Sequence, residues 1–222
     1  MSASGLTFLQ IINRVLSRLR ENTVAAHDST TYSTFIGTLV NQVKAEIEDA
    51  YQWNAMRDTY DVTAAPATAT YALTGAGMNA IVMDGWNTTT NGKLTRGTNA
   101  EFNAKFFGVG TVQTGNVQEY IPAGFDANYD LKVDLWPVPA TTNALKFNVY
   151  VPQADLAASA TVPLCPQSVL IEETIARALV ERGDEGALQP QPGETFIRKE
   201  LLASAISREA DHDPAELDWQ PE

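Results

Sequence analysis

At 222 residues, 44% hydrophobic and 19% charged, the chain can bury one good core or two modest ones. Lys and Arg total 15 against 27 Asp and Glu, a formal charge of −12, which argues against a surface that neutralises phosphates broadly but suits an acidic wall that DNA passes without sticking. The single cysteine, Cys165, excludes an internal disulfide framework and cannot make a zinc site by itself; no apolar run is long enough for a membrane span, no secretion signal opens the chain, and a cytosolic product is expected.

In chain order, Thr7 and Gln10 form the pattern of a capping box, and Leu9, Ile12, Val15, Leu16 and Leu19 make one apolar stripe from which Arg14, Arg18 and Arg20 point away. After the polar loop "NTVAAHDSTTYS", Ser33 or Thr34 is expected to cap a second helix. Its stripe is Ile36, Val40, Val43, Ile47 and Ala50, and it is expected to reach about Ala55. Trp53 and Met56 would then seal a joint between a helical layer and a sheet.

From Arg57 the rhythm becomes that of short strands, "TYDVTA", "TATYAL", "NAIVMDGW" and "GKLTRG", with Asn91-Gly92 as a hairpin signal. "NAEFNAKFF" reads as a short helix ended by Gly108. In "DLWPVPATTNALKFNVYVPQADL", Leu131, Val133 and Leu135 share one face of a strand, and Leu145, Phe147 and Val149 one face of another. Pro137 and Pro139 are expected where pairing stops, so that the stretch forms a hairpin closed by Pro152. The last third is helical, with Ile171, Ile175, Ala178 and Leu179 as a buried stripe and Gly183 as its stop. "ETFIRKELLASAISREA" is a final helix before an acidic tail.

The expected fold class is α+β, with N- and C-terminal helices forming one helical bundle around an inserted antiparallel β-rich domain. The expected domains are 1–56 and 164–210 for the bundle, 57–163 for the β-rich domain, and 211–222 for a tail.

Chemistry is sparse. His27 lies in a polar loop and His212 in the tail, neither with metal-ligand spacing, and Cys165 reads as a buried structural thiol. Glu46 with Glu48 and Asp49, and Glu172 with Glu173, read as solvated helix faces. "TGAGMN" lacks the lysine and following helix of a phosphate loop, so no cofactor is expected. Asp58 and Asp61 are the one carboxylate pair to weigh as a glycosidase couple, and Trp86, Tyr120 and Trp136 the aromatics to weigh as a sugar-binding face. Trp219, among acids and prolines, either docks on a partner and orders on binding or folds back on the chain's own helices.

Four stretches taken in order, "FLQIINRVLSRLRE", "LVNQVKAEIEDAYQWNAMRDTYDVT", the block from "LKVDLWPVP" through "ERGDEG", and "AISREADHDPAELDWQPE", resemble the bacteriophage adaptor proteins. These are head-to-tail connector subunits related to tail tubular protein A of short-tailed phages; residues 75–118 match least. The resemblance implies a non-enzymatic virion protein of the neck, made and assembled in the host cytoplasm, forming a ring of twelve subunits. That ring would join the portal protein to a tail nozzle or tail tube protein and continue the channel through which double-stranded DNA passes without specific binding, with no membrane involved. It also implies that Asp213, Pro214, Glu216, Leu217, Asp218 and Trp219 dock on the portal and that the β-rich domain, with its 86–98 loop, faces the tail. The alternatives are a tail-associated peptidoglycan hydrolase using Asp58 and Asp61, and a carbohydrate-binding β-module.

Overall fold

The computed structural model describes residues 5–108, 111–183 and 194–211, and its fold is α+β. The first elements are α1 (Phe8–Arg18), α2 (Thr31–Ala50), a short 3-10 turn (Asn54–Met56), β1 (Arg57–Ala64), β2 (Thr70–Ala72), β3 (Ile81–Asn87), β4 (Gly92–Arg96) and α3 (Asn99–Phe107). They are followed by β5 (Thr114–Gly115), β6 (Glu119–Phe125), β7 (Leu131–Trp136), β8 (Val138–Pro139), β9 (Asn143–Tyr150), α4 (Gln167–Glu181) and α5 (Glu194–Asp211). Two compact units result, one of Met1–Ala55 with Gln153–Glu222 and one of Met56–Pro152.

In the first unit α1 opens with the expected capping box, Gln10 N–H donating to Thr7 Oγ1 and Thr7 N–H to Gln10 Oε1. Phe8, Ile11, Ile12, Val15 and Leu16 are its buried face. The second helix starts earlier than its sequence indicates: Thr30 is the cap, because Ser33 returns the hydrogen bond as its reciprocal partner rather than acting as cap itself. It also stops at Ala50 rather than Ala55. Tyr51 turns extended, and the buried indole of Trp53 donates to the Ile47 carbonyl at 2.8 Å, taking one of the acceptors that a continuing helix would have used.

Helix α2 packs on α1 and α4, α1 on α4, and α4 on α5. Their buried positions are Ile36, Val40, Val43 and Ile47 of α2 and Val169, Leu170, Ile171, Ile175 and Ala178 of α4, while Ala50 is exposed and Leu179 only half-buried. Arg182 ties the end of α4 to its neighbours, donating to Tyr32 Oη, the Leu19 carbonyl and Glu21. Gly183 follows with a φ of +73°, the stop expected of it.

The segment 153–163, assigned to the β-rich domain from sequence, lies with the helices. Phe8 and Leu9 donate to the carbonyls of Thr161 and Ser159, Asn41 and Leu156 exchange hydrogen bonds, and the Lys44 ammonium donates to the Gln153 carbonyl. Lys44 and Glu48, one turn apart on α2, are 1% and 3% exposed and pair at 2.9 and 3.0 Å. Glu48 is thus not on a solvated face. Burial raises its pKa, against the pull of Lys44.

In the second unit a seven-stranded sheet runs β1-β9-β3-β4-β6-β7-β2. It is mixed rather than antiparallel: β4 and β6 pair in parallel, because the chain between them crosses over through α3. Asn91, at φ +55°, turns β3 into β4 as its sequence signal requires.

The stretch 131–150 is not a hairpin. Strand β7 lies between β6 and β2, and β9 between β1 and β3; alternation identifies the buried face of a strand and leaves its neighbours open. Nor does pairing stop at the prolines. Val138 and Ala140, which alternate with them, donate to the carbonyls of Gln113 and Gly115, so β8 pairs in parallel with β5. The Trp136–Pro137 peptide is cis.

Both strands bury the faces expected, and Leu131, Val133, Leu135, Leu145, Phe147 and Val149 share one cluster with Tyr120 and Val82. Gly85 of β3 admits the Phe147 ring so closely that a Cβ there would lie 2.8 Å from it. On the other face Trp136 packs with Phe102 and Phe106 of α3 and with Ile121. Two buried asparagines tie the ends of two interior strands, β3 and β9: Asn87 donates to Asn143 Oδ1 and the Val117 carbonyl, and Asn143 donates to the Thr141 carbonyl.

Candidate functional site

The chemistry weighed from sequence disperses. Asp58 and Asp61 stand three apart on β1, so they point to opposite faces of the strand. Asp61 pairs with Lys146 at 2.7 Å and Asp58 accepts from the Thr59 N–H, so no cleft lies between the two carboxyls. The hydrolase reading loses its couple. Of the three aromatics of the sugar-binding reading, Tyr120 is 1% and Trp136 8% exposed, each in its own core cluster, and only Trp86 reaches solvent at 42%. Three coplanar platforms do not exist, because alternation turned Trp136 onto a face that α3 covers.

His27 is a pin for the return segment, its N–H and ring Nδ1 both on Ser159 Oγ at 3.2 and 3.0 Å. Cys165 is buried as expected; desolvation first, and the Glu48 carboxylate second, push its thiol up to about 12. Among the described residues no three His, Cys, Asp or Glu side chains gather as metal ligands, and no helix is long and apolar enough to cross a membrane. Asp213, Pro214, Glu216, Leu217, Asp218 and Trp219, and His212, lie outside the described residues.

Contact surfaces are the more developed features. In the first unit α5 rests on α4 with only Ala205 of its described side chains fully buried, and a groove opens on each side of it. One groove, of about 840 Å³, has Leu6, Ile171 and Leu201 as apolar lining and Arg14, Arg18 and Glu172 as charged lining. The other, of about 340 Å³, carries the carboxylates of Glu46 and Glu173 beside Lys199.

In the second unit two loops are braced by one side chain. Asp130 Oδ1 accepts from the N–H groups of Gly75 and Gly77 at 2.9 and 3.3 Å, and both glycines have positive φ. The brace holds up Met78 on one loop and Phe125 and Tyr129 on the other, 54%, 43% and 64% exposed. Tyr129 itself takes a φ of +64°, a conformation that a side chain other than glycine adopts only when its surroundings impose it. The absence of a phosphate-loop pattern in "TGAGMN" says nothing of this brace; its one signal in the sequence is an aspartate, Asp130, ending a loop rich in Gly, Asn and Asp.

Grooves lined by apolar and charged side chains, and apolar side chains exposed at braced loops, are the kind of surface that suits protein contact. A family model described as SU10 adaptor protein matches residues 6–216, and the chain belongs to that family. It is a bacteriophage adaptor, a structural component of the virion, and family membership implies contacts with other phage head and tail proteins. Among curated proteins, none matches the chain.

Proposed function

We propose that the protein is a head-to-tail connector subunit, twelve copies of which form a ring that joins the portal to the tail nozzle or tail tube and continues the DNA channel. The observation that carries this reading is the adaptor family match over residues 6–216. In this reading the terminal helices act as one bundle, residues 211–222 are a docking tail whose Asp213, Pro214, Glu216, Leu217, Asp218 and Trp219 engage the portal, and the β-rich unit faces the tail. Kinship with tail tubular protein A is part of the same proposal. The charge of −12 supports a lumen along which DNA moves with little friction, since like charges keep the duplex off the wall. Assembly in the host cytoplasm completes it.

Native mass spectrometry tests it, on the protein alone and mixed with the portal of the same phage, using the full chain and a version ending at Ala210. A stoichiometric ring recruited by the full chain and lost on truncation is expected. No association with the portal in any form would overturn the connector reading.

A further inference from the structure

Strand β1 ends the seven-stranded sheet: β9 covers one side of it, and among the described residues no strand covers the other. The phase of the β1–β9 ladder tells which groups face that open side. The Val151 N–H donates to the Met56 carbonyl, and this pair continues the register in which Arg57 faces Tyr150, so the even-numbered residues of β1 bond to β9. Arg57, Thr59, Asp61 and Thr63 therefore aim their backbone N–H and C=O groups outward, and all four residues are exposed. Two contacts agree with that phase. The outward N–H of Thr59 donates to Asp58 Oδ1 at 2.7 Å, and the outward N–H and carbonyl of Ala65, just past the strand, are both met by the Tyr71 hydroxyl.

We infer that this edge takes an antiparallel strand from a second copy of the chain, β1 on β1, about a two-fold axis at Thr59. Only registers that set odd-numbered residues opposite odd-numbered ones bring the outward groups together. In the register centred on Thr59, Arg57 lies opposite Asp61 on both sides of the axis, Thr59 opposite itself and Asp58 opposite Tyr60. Opposite charges, two hydroxyls, and a carboxylate with a phenol donor are all favourable cross-strand pairs. The adjacent registers set Asp58 against Asp58, Asp58 against Val62 or Asp61 against Asp61, and none of these pairs is favourable. Asp61 has capacity for the contact, because Lys146 engages only its Oδ1 and the carboxylate side chain stays 72% exposed. Asp58 exchanges the Thr59 N–H for the Tyr60 hydroxyl of the second copy, which releases that N–H to the new ladder. Charges on an edge strand ordinarily keep other strands away. Here the same charges admit one partner, the strand itself. An isologous contact closes at two copies, so it describes the free protein and does not depend on the ring.

Native mass spectrometry over rising concentration tests the inference, with Arg57→Glu and Asp61→Arg made as separate variants of the full chain. Both positions are exposed, and circular dichroism checks that each variant folds. A concentration-dependent dimer of the wild type is expected, with either variant alone associating about tenfold more weakly, because like charges then meet on both sides of the axis. An equimolar mixture of the two variants is expected to recover the dimer as the mixed species, distinguishable by mass, since each introduced charge then meets its opposite. A wild type that stays monomeric up to its solubility limit would overturn the inference. So would association that the variants leave unchanged, or that their mixture fails to restore. Portal recruitment is read in a separate mixture, so failure here leaves the connector reading standing, and failure there leaves this one.

Discussion

Lys44 and Glu48 look in sequence like any i, i+4 pair on a solvated face, and the spacing cannot tell otherwise; what buries them is the distant segment 153–163. Taking away one partner strands the other charge in the interior. Lys44→Met is therefore expected to cost ~3–5 kcal/mol in urea unfolding, and adding Glu48→Leu to recover much of it, since a matched apolar pair leaves no orphan charge. Cys165, by contrast, was legible as a structural thiol from the lack of any companion group. With its pKa pushed up to about 12, only roughly one molecule in ten thousand carries the thiolate at pH 8. Iodoacetamide at pH 8 should leave the folded protein unmodified and alkylate it fully in urea, with mass as the readout; rapid labelling of the native state would contradict the burial.

At the scale of elements, most features set by near neighbours were legible, although α2 begins at the Thr30 cap and ends at Ala50, both several residues before its expected bounds. The cap of α1, the stops at Gly108 and Gly183 and the β3–β4 turn depend on residues within a few positions of one another. The partners of β7 and β9 depend on strands dozens of residues away, and there the hairpin expectation failed. Gly85 records the same limit, since its reason, the Phe147 ring, lies on another strand. Gly85→Ala should destabilise the second unit by about 1–3 kcal/mol, measured by denaturant unfolding, because a buried ring cannot retreat from a 2.8 Å contact. Helix α3 carries a pH dependence. The Thr98 N–H and hydroxyl hold the Glu101 carboxyl below its ordinary value, so the native state binds fewer protons than the unfolded one there. Its contribution is present above the unfolded value near 4.5 and is lost as pH falls through the lower folded value. Glu101→Gln keeps an acceptor at the cap and should abolish that acid-side loss, seen as pH-independent amide exchange protection in α3; an unchanged acid response would exclude Glu101 as its source.

For the molecule as a whole, the α+β plan and the placement of β structure between helices from both ends were legible, because the hydrophobic period changes from 3.6 to 2 and back. The grooves beside α5 were not, since a groove is what several helices leave uncovered and no single stripe encodes it. The central cluster of the second unit draws every member from within Met56–Pro152. That unit is therefore expected to fold when expressed alone, with one cooperative thermal transition and dispersed amide resonances; a gradual, featureless melt would show that its core is insufficient. Its two ends already meet: the Val151 N–H donates to the Met56 carbonyl at 2.9 Å, and Arg57 pairs with Tyr150. In genetic terms that seam is a cloning site provided by nature. Recombination that replaces the coding stretch between it with another of similarly adjacent ends changes what the inserted unit displays while leaving every codon of the helical unit as it was.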